Sequence, residues 1–226
     1  MMIAIPDVLD AAMLGKVRAA IEAGEWVDGN ATAGHQAALA KRNRQLTEDG
    51  DASRTARALV VAALEKSPTF IAAALPLKVV PPLFNRYAGG EAFGTHIDNA
   101  IRLGRDGLRV RTDLSATLFL ADPESYDGGE LVVEDRAGAQ TVKLPAGHLL
   151  LYPASSLHRV EPVPRGTREA CFFWVQSMIR DDGARRILFD LDNAVRQVAA
   201  AQGHDARATI ELTGVYHNLL RLWADA

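Results

Sequence analysis

Leu149-Leu150-Leu151-Tyr152-Pro153-Ala154-Ser155-Ser156-Leu157-His158-Arg159-Val160 decides the fold class. Two strand-length runs, 148–152 and 158–163, flank a break made by a proline and two serines. Similar short β-rich runs lie on both sides of them, at 78–87, 114–120, 129–134, 141–144 and 170–176. Closely spaced strands with Gly and Pro between them indicate an antiparallel sandwich or jelly roll, not βαβ units. The strand-rich region is therefore placed at 76–180.

The flanks read as helix. Within 1–75, Val8, Ala12, Leu14, Val17 and Ile21 fall at helical spacing, and 58–64 forms a second helical stretch. The turn-rich segment 26–34 lies between them. Beyond Arg180, within 181–226, Asp181-Asp182 caps a helix to about residue 200, where Gly203 interrupts it. Asp205 is expected to cap a second helix that runs to about Trp223. Leu188, Leu191, Val195 and Val198 stripe the first, and Ile210, Leu212, Val215 and Leu219 the second. This helical pair is expected to dock on the β core or to serve a homodimer. The fold class is mainly β with flanking helices.

Composition narrows the function classes. The chain has 226 residues, 48% apolar and 23% charged, as ordinary globular proteins do. A net charge of −3 gives no general reason to expect nucleic acid as a partner. Apolar runs such as 170–175 fall far short of a membrane span. The N-terminal residues lack the basic start and apolar core of a signal peptide. Cys171 is the lone cysteine, which excludes an intrachain disulfide and fits a reducing cytoplasm.

The chemistry rests on three positions. In Phe93-Gly94-Thr95-His96-Ile97-Asp98-Asn99, His96 and Asp98 are two apart, and an extended strand points such residues to one face. His158 follows on a late strand, which a jelly roll can bring beside an early one. Two His and one carboxylate leave other metal positions open, a set that suits Fe(II) activating oxygen. A closed zinc site would want more ligands, often thiolates. Arg168 lies on the return strand after His158, where its guanidinium can fork onto a carboxylate. Arg165 competes for that role, but Gly166 makes its vicinity turn-like.

With these residues quoted, the chain resembles the bacterial PKHD-type hydroxylases of the Fe(II)/2-oxoglutarate dioxygenase superfamily, relatives of the prolyl and lysyl hydroxylases. The matching segments are Asn85-Arg86-Tyr87 with Gly90, His96-Ile97-Asp98, and Arg111-Thr112-Asp113-Leu114-Ser115 onward to Leu120. Tyr126-Asp127-Gly128-Gly129-Glu130-Leu131, the stretch from Leu151 to Arg168, and Phe172-Phe173-Trp174-Val175-Gln176-Ser177 complete the match. The resemblance implies a double-stranded β-helix core. It further implies that His96, Asp98 and His158 bind iron and that Arg168 and Tyr87 bind 2-oxoglutarate. The implied reaction decarboxylates 2-oxoglutarate to succinate and hydroxylates a small-molecule or peptidyl substrate with O2, with L-ascorbate as an implied reductant. Peptidyl proline or lysine and a siderophore-related molecule both stay open as substrate.

Two rival readings stand beside this one: a non-catalytic cupin-like sensor of a metal or small ligand, and a metal-dependent hydrolase. His148 reads as a structural histidine at a strand start, and His35, His204 and His217 carry no catalytic signal. Phe172 and Trp174 read as core. Gly128-Gly129 reads as a tight turn. The loop-like stretch 99–111, with Arg102, Arg105, Arg109 and Arg111, is expected to border the mouth of the site and receive an anionic or peptide substrate.

Overall fold

Residues 149–152 are apolar at every position because both faces of their strand are covered. In the computed structural model, which describes residues 1–29, 40–104, 107–135 and 138–225, this strand lies inside an eight-stranded antiparallel sheet. The order is β1 (Ile3–Ile5), β13 (Leu149–Pro153), β10 (Leu114–Phe119), β15 (Thr167–Ser177), β6 (Leu83–Ala88), β4 (Arg44–Leu46) and β2 (Trp26–Asp28). A further strand, β5 (Pro76–Val79), pairs with β15. A smaller sheet runs β12 (Gly138–Val142), β11 (Leu131–Asp135), β14 (Leu157–Val163), β7 (Glu91–His96) and β3 (Lys41–Arg42). The chain steps between sheets as it goes: β6 and β10 lie in the larger, β7 and β11 in the smaller, then β13, β14 and β15 alternate again. That interleaving is the double-stranded β-helix, the jelly-roll core expected from the sequence.

Alternation along the strands sorts the side chains into two layers. Leu114, Ala116, Leu118, Leu149, Leu151, Cys171, Phe173 and Val175 face α1 (Ala11–Glu22), α2 (Asp51–Glu65) and α3 (Pro68–Ala74), against Val17, Ile21, Val60 and Phe70. Tyr87, Phe119, Leu150 and Tyr152 instead meet Leu131, Val133, Val160 and Val163 of the smaller sheet. The site described below opens in this second layer, between the sheets.

Local chemistry fixes the helix ends. Asp10 accepts from the Met13 amide, Ser67 from Phe70 with Pro68 in the first turn, and Asp181 from Ala184. Gly203, at φ 99°, ends α4 (Asp182–Gln202). The last helix, α5 (Arg207–Trp223), starts after Ala206 with no side-chain cap, so the expected Asp205 cap is not used. The C-terminal pair packs through Leu188, Tyr216, Leu219 and Trp223 onto Leu75 and Ile179 of the same chain.

The strands differ from the sequence reading in several places: 1–75, read as helical, also carries β1 to β4, and two differences lie nearer the site. The run 78–87 divides into β5 and β6 because Pro81-Pro82 offers no amide donors to a ladder. The stretch 99–111, read as a loop, is a hairpin of β8 (Ile101–Leu103) and β9 (Arg109–Arg111).

Candidate active site

His158 and His96 meet because β14 and β7 are ladder neighbours, with the two residues as direct register partners. Their rings lie 4.1 Å apart, centroid to centroid. Between His158 and Val160 the register shifts, so Val160 pairs with Phe93, three residues before His96. Such a bulge re-aims a side chain. It puts Phe93 and His96, an odd interval apart, on the same face, with rings stacked at 3.6 Å. Asp98 lies just past the end of β7 and not within an extended strand, yet its carboxylate still reaches the pair. One ligating atom from each of His96, Asp98 and His158 falls within 4.8 Å of the others.

Each ligand candidate is held from behind. The Nδ1 atoms of His96 and His158 lie 2.8 Å and 3.1 Å from the carbonyls of Gly94 and Ser156. As donors to those carbonyls, both rings keep Nε2 bare, the tautomer that a metal requires. Ser115 donates to Asp98 Oδ2 at 2.5 Å, and His158 Nε2 is 3.7 Å from the same oxygen. Burial, and then the neighbouring His158, push the His96 imidazole down to about 4, so it is neutral at physiological pH. Two imidazoles with one carboxylate and no thiolate are a donor set suited to Fe(II).

Deeper between the sheets, Arg168 is the register partner of Tyr87 across β15 and β6. It is 1% exposed, among the most buried large side chains of the protein. Its guanidinium carbon lies 5.4 Å from the ring centroids of both Tyr87 and Phe119. No carboxylate of the described residues pairs with it, and its Nε has no hydrogen-bond partner. Burying a cation this way is costly unless an anion completes it. The cavity it lines is thus built for a ligand carboxylate. Burial raises the Tyr87 phenol to about 12, which keeps its hydroxyl neutral and 3.5 Å from Asn85 Nδ2. Arg165, the competing arginine, is exposed and forks onto Asp127 with two bonds of 2.7 Å.

Lys41, Arg102, Ser115, Thr117, Tyr152, Phe172 and Trp174 line the same cavity. Phe172 and Trp174 thus border the site; Trp174, read as core, is buried, whereas Phe172 is only partly so. Within 99–111, Arg102 reaches the cavity, whereas Arg111 is engaged by Asp113 and Arg109 is exposed. Arg105 and His35 lie outside the described residues. His148 sits 3.5 Å from Asp7, remote from the triad, and His204 and His217 belong to the C-terminal helical region. Gly128 and Gly129 both turn at φ 66°, and a Cβ on Gly128 would stand 2.0 Å from the Pro162 carbonyl.

Sequence reasoning passed over Ser115, Thr117, Asn85, Tyr152 and Lys41. A signal existed for Ser115 and Thr117, two hydroxyls alternating with apolar residues in a strand buried at every position. For Lys41 there was none, because its two-residue strand is defined only by pairing with β7.

Comparison with known proteins places this geometry. Residues 82–176 match the 2OG-Fe(II) oxygenase superfamily, and residues 182–225 match the PKHD-type hydroxylase C-terminal domain. A PKHD-type hydroxylase of Rhizorhabdus wittichii is 66% identical over 227 residues, covering 100% of both chains. The chain belongs to the PKHD-type hydroxylases. A second member, from Phenylobacterium zucineum, is 59% identical over the full length of both chains.

Solved structures agree on the fold. A Pseudomonas putida prolyl-4-hydroxylase superposes with a TM-score of 0.53 at 18% identity, covering 78% of this chain and 92% of its own. A Trichoplax adhaerens prolyl hydroxylase, solved with a peptide fragment, gives 0.56 at 16% identity, with 83% and 86% coverage. As a PKHD-type hydroxylase the chain is an Fe(II)- and 2-oxoglutarate-dependent oxygenase that consumes O2 and a substrate. No described helix is long and apolar enough to cross a membrane.

Proposed function

We propose that His96, Asp98 and His158 hold the Fe(II) of this PKHD-type hydroxylase, and that Arg168, with Tyr87 beside it, holds 2-oxoglutarate. The observation that carries this reading is the buried, uncompensated Arg168 in a cavity shared with the His–Asp–His cluster. A metal-dependent hydrolase gives that cation no duty, and a non-catalytic sensor would not make succinate. The division of labour follows: 76–180 carries the proposed ligands, 1–75 adds helices and edge strands to the core and brings Lys41 to the cavity, and 181–226 is an extension.

Together the metal and co-substrate supply the oxidation: O2 and 2-oxoglutarate become succinate and carbon dioxide while a substrate C–H becomes C–OH. The protein's own part is positional. Gly94 and Ser156 fix the imidazole tautomers, and Ser115 orients the Asp98 carboxylate. Arg168 offers a planar fork in a water-poor setting, where each charge-assisted bond is stronger. The aromatic rings of Tyr87, Phe119 and Tyr152 keep water away from that end.

The primary substrate on this reading is a small molecule or a peptidyl side chain. L-ascorbate would re-reduce iron after turnovers that miss the substrate. The setting is cytoplasmic, with neither nucleic acid nor membrane as partner and with self-association through the C-terminal helices. Succinate formation from 2-oxoglutarate by the Fe(II)-loaded protein tests the reading. The expected result is loss of at least a hundredfold in Asp98→Ala; near-normal turnover in that variant contradicts it.

A further inference from the structure

The cavity holds cations beyond the one assigned to 2-oxoglutarate. Lys41, Arg102 and Arg168 line it, and Asp98 is the carboxylate among its described lining residues. Arg168 is committed to 2-oxoglutarate on the reading above, and Lys41 is held by partners of its own, which leaves Arg102.

Arg102 projects from β8 with its guanidinium carbon 3.8 Å from the Trp174 ring centroid, a stacked geometry. Among the described residues it makes no hydrogen bond or ion pair, although it is half-buried. Stacking engages the flat face of a guanidinium and leaves its N–H edge free to fork onto an oxyanion. Lys41 comes from the opposite sheet, its ammonium 5.6 Å from the Phe93 ring centroid and 5.9 Å from that of Phe172. It is anchored by the Gly29 carbonyl and Gln45. The two cations thus share one end of the cavity, and apolar rings surround them.

We infer that Arg102, beside the anchored ammonium of Lys41, forms an anion subsite for the primary substrate, which carries a carboxylate or phosphate next to an apolar body. Alternation within β8 supports this assignment. Ile101 and Leu103 are exposed on the outer face, so Arg102 alone of the strand is turned inward. Arg102 also borders a second cavity of about 650 Å³ beneath the hairpin, lined by Val79, Leu83, Leu108 and Val110 among others. That adjoining space offers room for the apolar part.

The inference rests on the proposed role of Arg168, and its test keeps the two separable. Protein saturated anaerobically with Fe(II) and 2-oxoglutarate is titrated calorimetrically with benzoate, phenyl phosphate and benzamide. The expected result is binding of one or both anions at least tenfold tighter than benzamide, and whichever anion prevails names the group. That preference disappears in Arg102→Gln, survives in part in Arg102→Lys, and is unaffected in Arg109→Gln, which removes an exposed charge from the same hairpin. Equal affinity for benzamide, no anion binding, or an unchanged preference in Arg102→Gln overturns the inference. So does a parallel loss of 2-oxoglutarate affinity in Arg102→Gln, which would make this arginine a co-substrate ligand. Failure of 2-oxoglutarate to bind the wild-type protein sinks the Arg168 reading first and this one with it.

Discussion

His96 and His158, 62 residues apart in sequence, face each other as register partners across β7 and β14. A cluster built on a ladder pair inherits its precision from backbone hydrogen bonds. Asp98, beyond the strand end, lacks that support and depends on Ser115. Ser115→Ala is therefore expected to lower Fe(II) affinity by about 10- to 100-fold, the usual effect of losing a partner behind a metal ligand. Metal titration of the variant, with circular dichroism to establish folding, checks it. Unchanged affinity would mean that Asp98 is oriented by other means.

Arg168 is expected to act through geometry as well as charge. Arg168→Gln should raise the KM for 2-oxoglutarate by about 10- to 150-fold, the net loss of about 1.5–3 kcal/mol typical of one hydrogen bond to a charged group, since glutamine's amide can still donate one. Arg168→Lys should recover only part of this, because an ammonium cannot fork. Metal affinity measured without 2-oxoglutarate should stay close to wild type in both variants.

Gly129 shapes the Arg168 end of the cavity. Its φ of 66° lies in the left-handed region, and an added Cβ would stand 3.0 Å from Arg168 Cδ and 2.9 Å from Tyr126 and Val163. Gly129→Ala should cost about 1–3 kcal/mol of stability from backbone strain alone. By displacing Arg168 it should also raise the KM for 2-oxoglutarate. A lower Tm with an unaltered KM would separate the turn from the site.

Lys41 predicts a pH dependence. Burial holds its ammonium down to about 8, against an ordinary value near 10.5. Between those values the unfolded chain binds more protons than the folded one, so stability rises with pH. Below about 8 the ammonium is charged in both states and the penalty is constant. Urea unfolding at pH 8 to 10 should show wild-type stability rising relative to Lys41→Met. A flat difference would contradict the buried-ammonium account.

Cys171 is fully buried, and burial pushes its thiol pKa strongly upward. A thiol-specific reagent should label the native protein far more slowly than the urea-unfolded protein. Rapid native labelling would place Cys171 outside the helix-facing layer.

The β core and the flanking helices were legible because their period differs, strand-length apolar runs in the middle and helical stripes at both ends. Runs such as 149–152 also disclosed burial on both faces. Short strands escaped, since β3 and β4 have two and three residues and exist through partners far away in sequence. The three residues that converge were readable from residue types, but not how they converge: the β7–β14 bulge carries no composition signal. That Phe172 and Trp174 also line the cavity was missed for a related reason. Alternation in β15 puts them on the face of Arg168, and which face encloses a cavity is a property of the second sheet.

The central claim is that one cavity joins a His–Asp–His metal site to an arginine that holds 2-oxoglutarate. Anaerobic titration of the metal-free protein with Fe(II) and then 2-oxoglutarate tests it most directly, by the weak visible charge-transfer absorption of the chelate. The account predicts that the band appears in the wild type, is absent in His96→Ala and His158→Ala, and needs far more 2-oxoglutarate in Arg168→Gln. A band that persists at wild-type strength in either histidine variant, or iron binding with no band in the wild type, would contradict it.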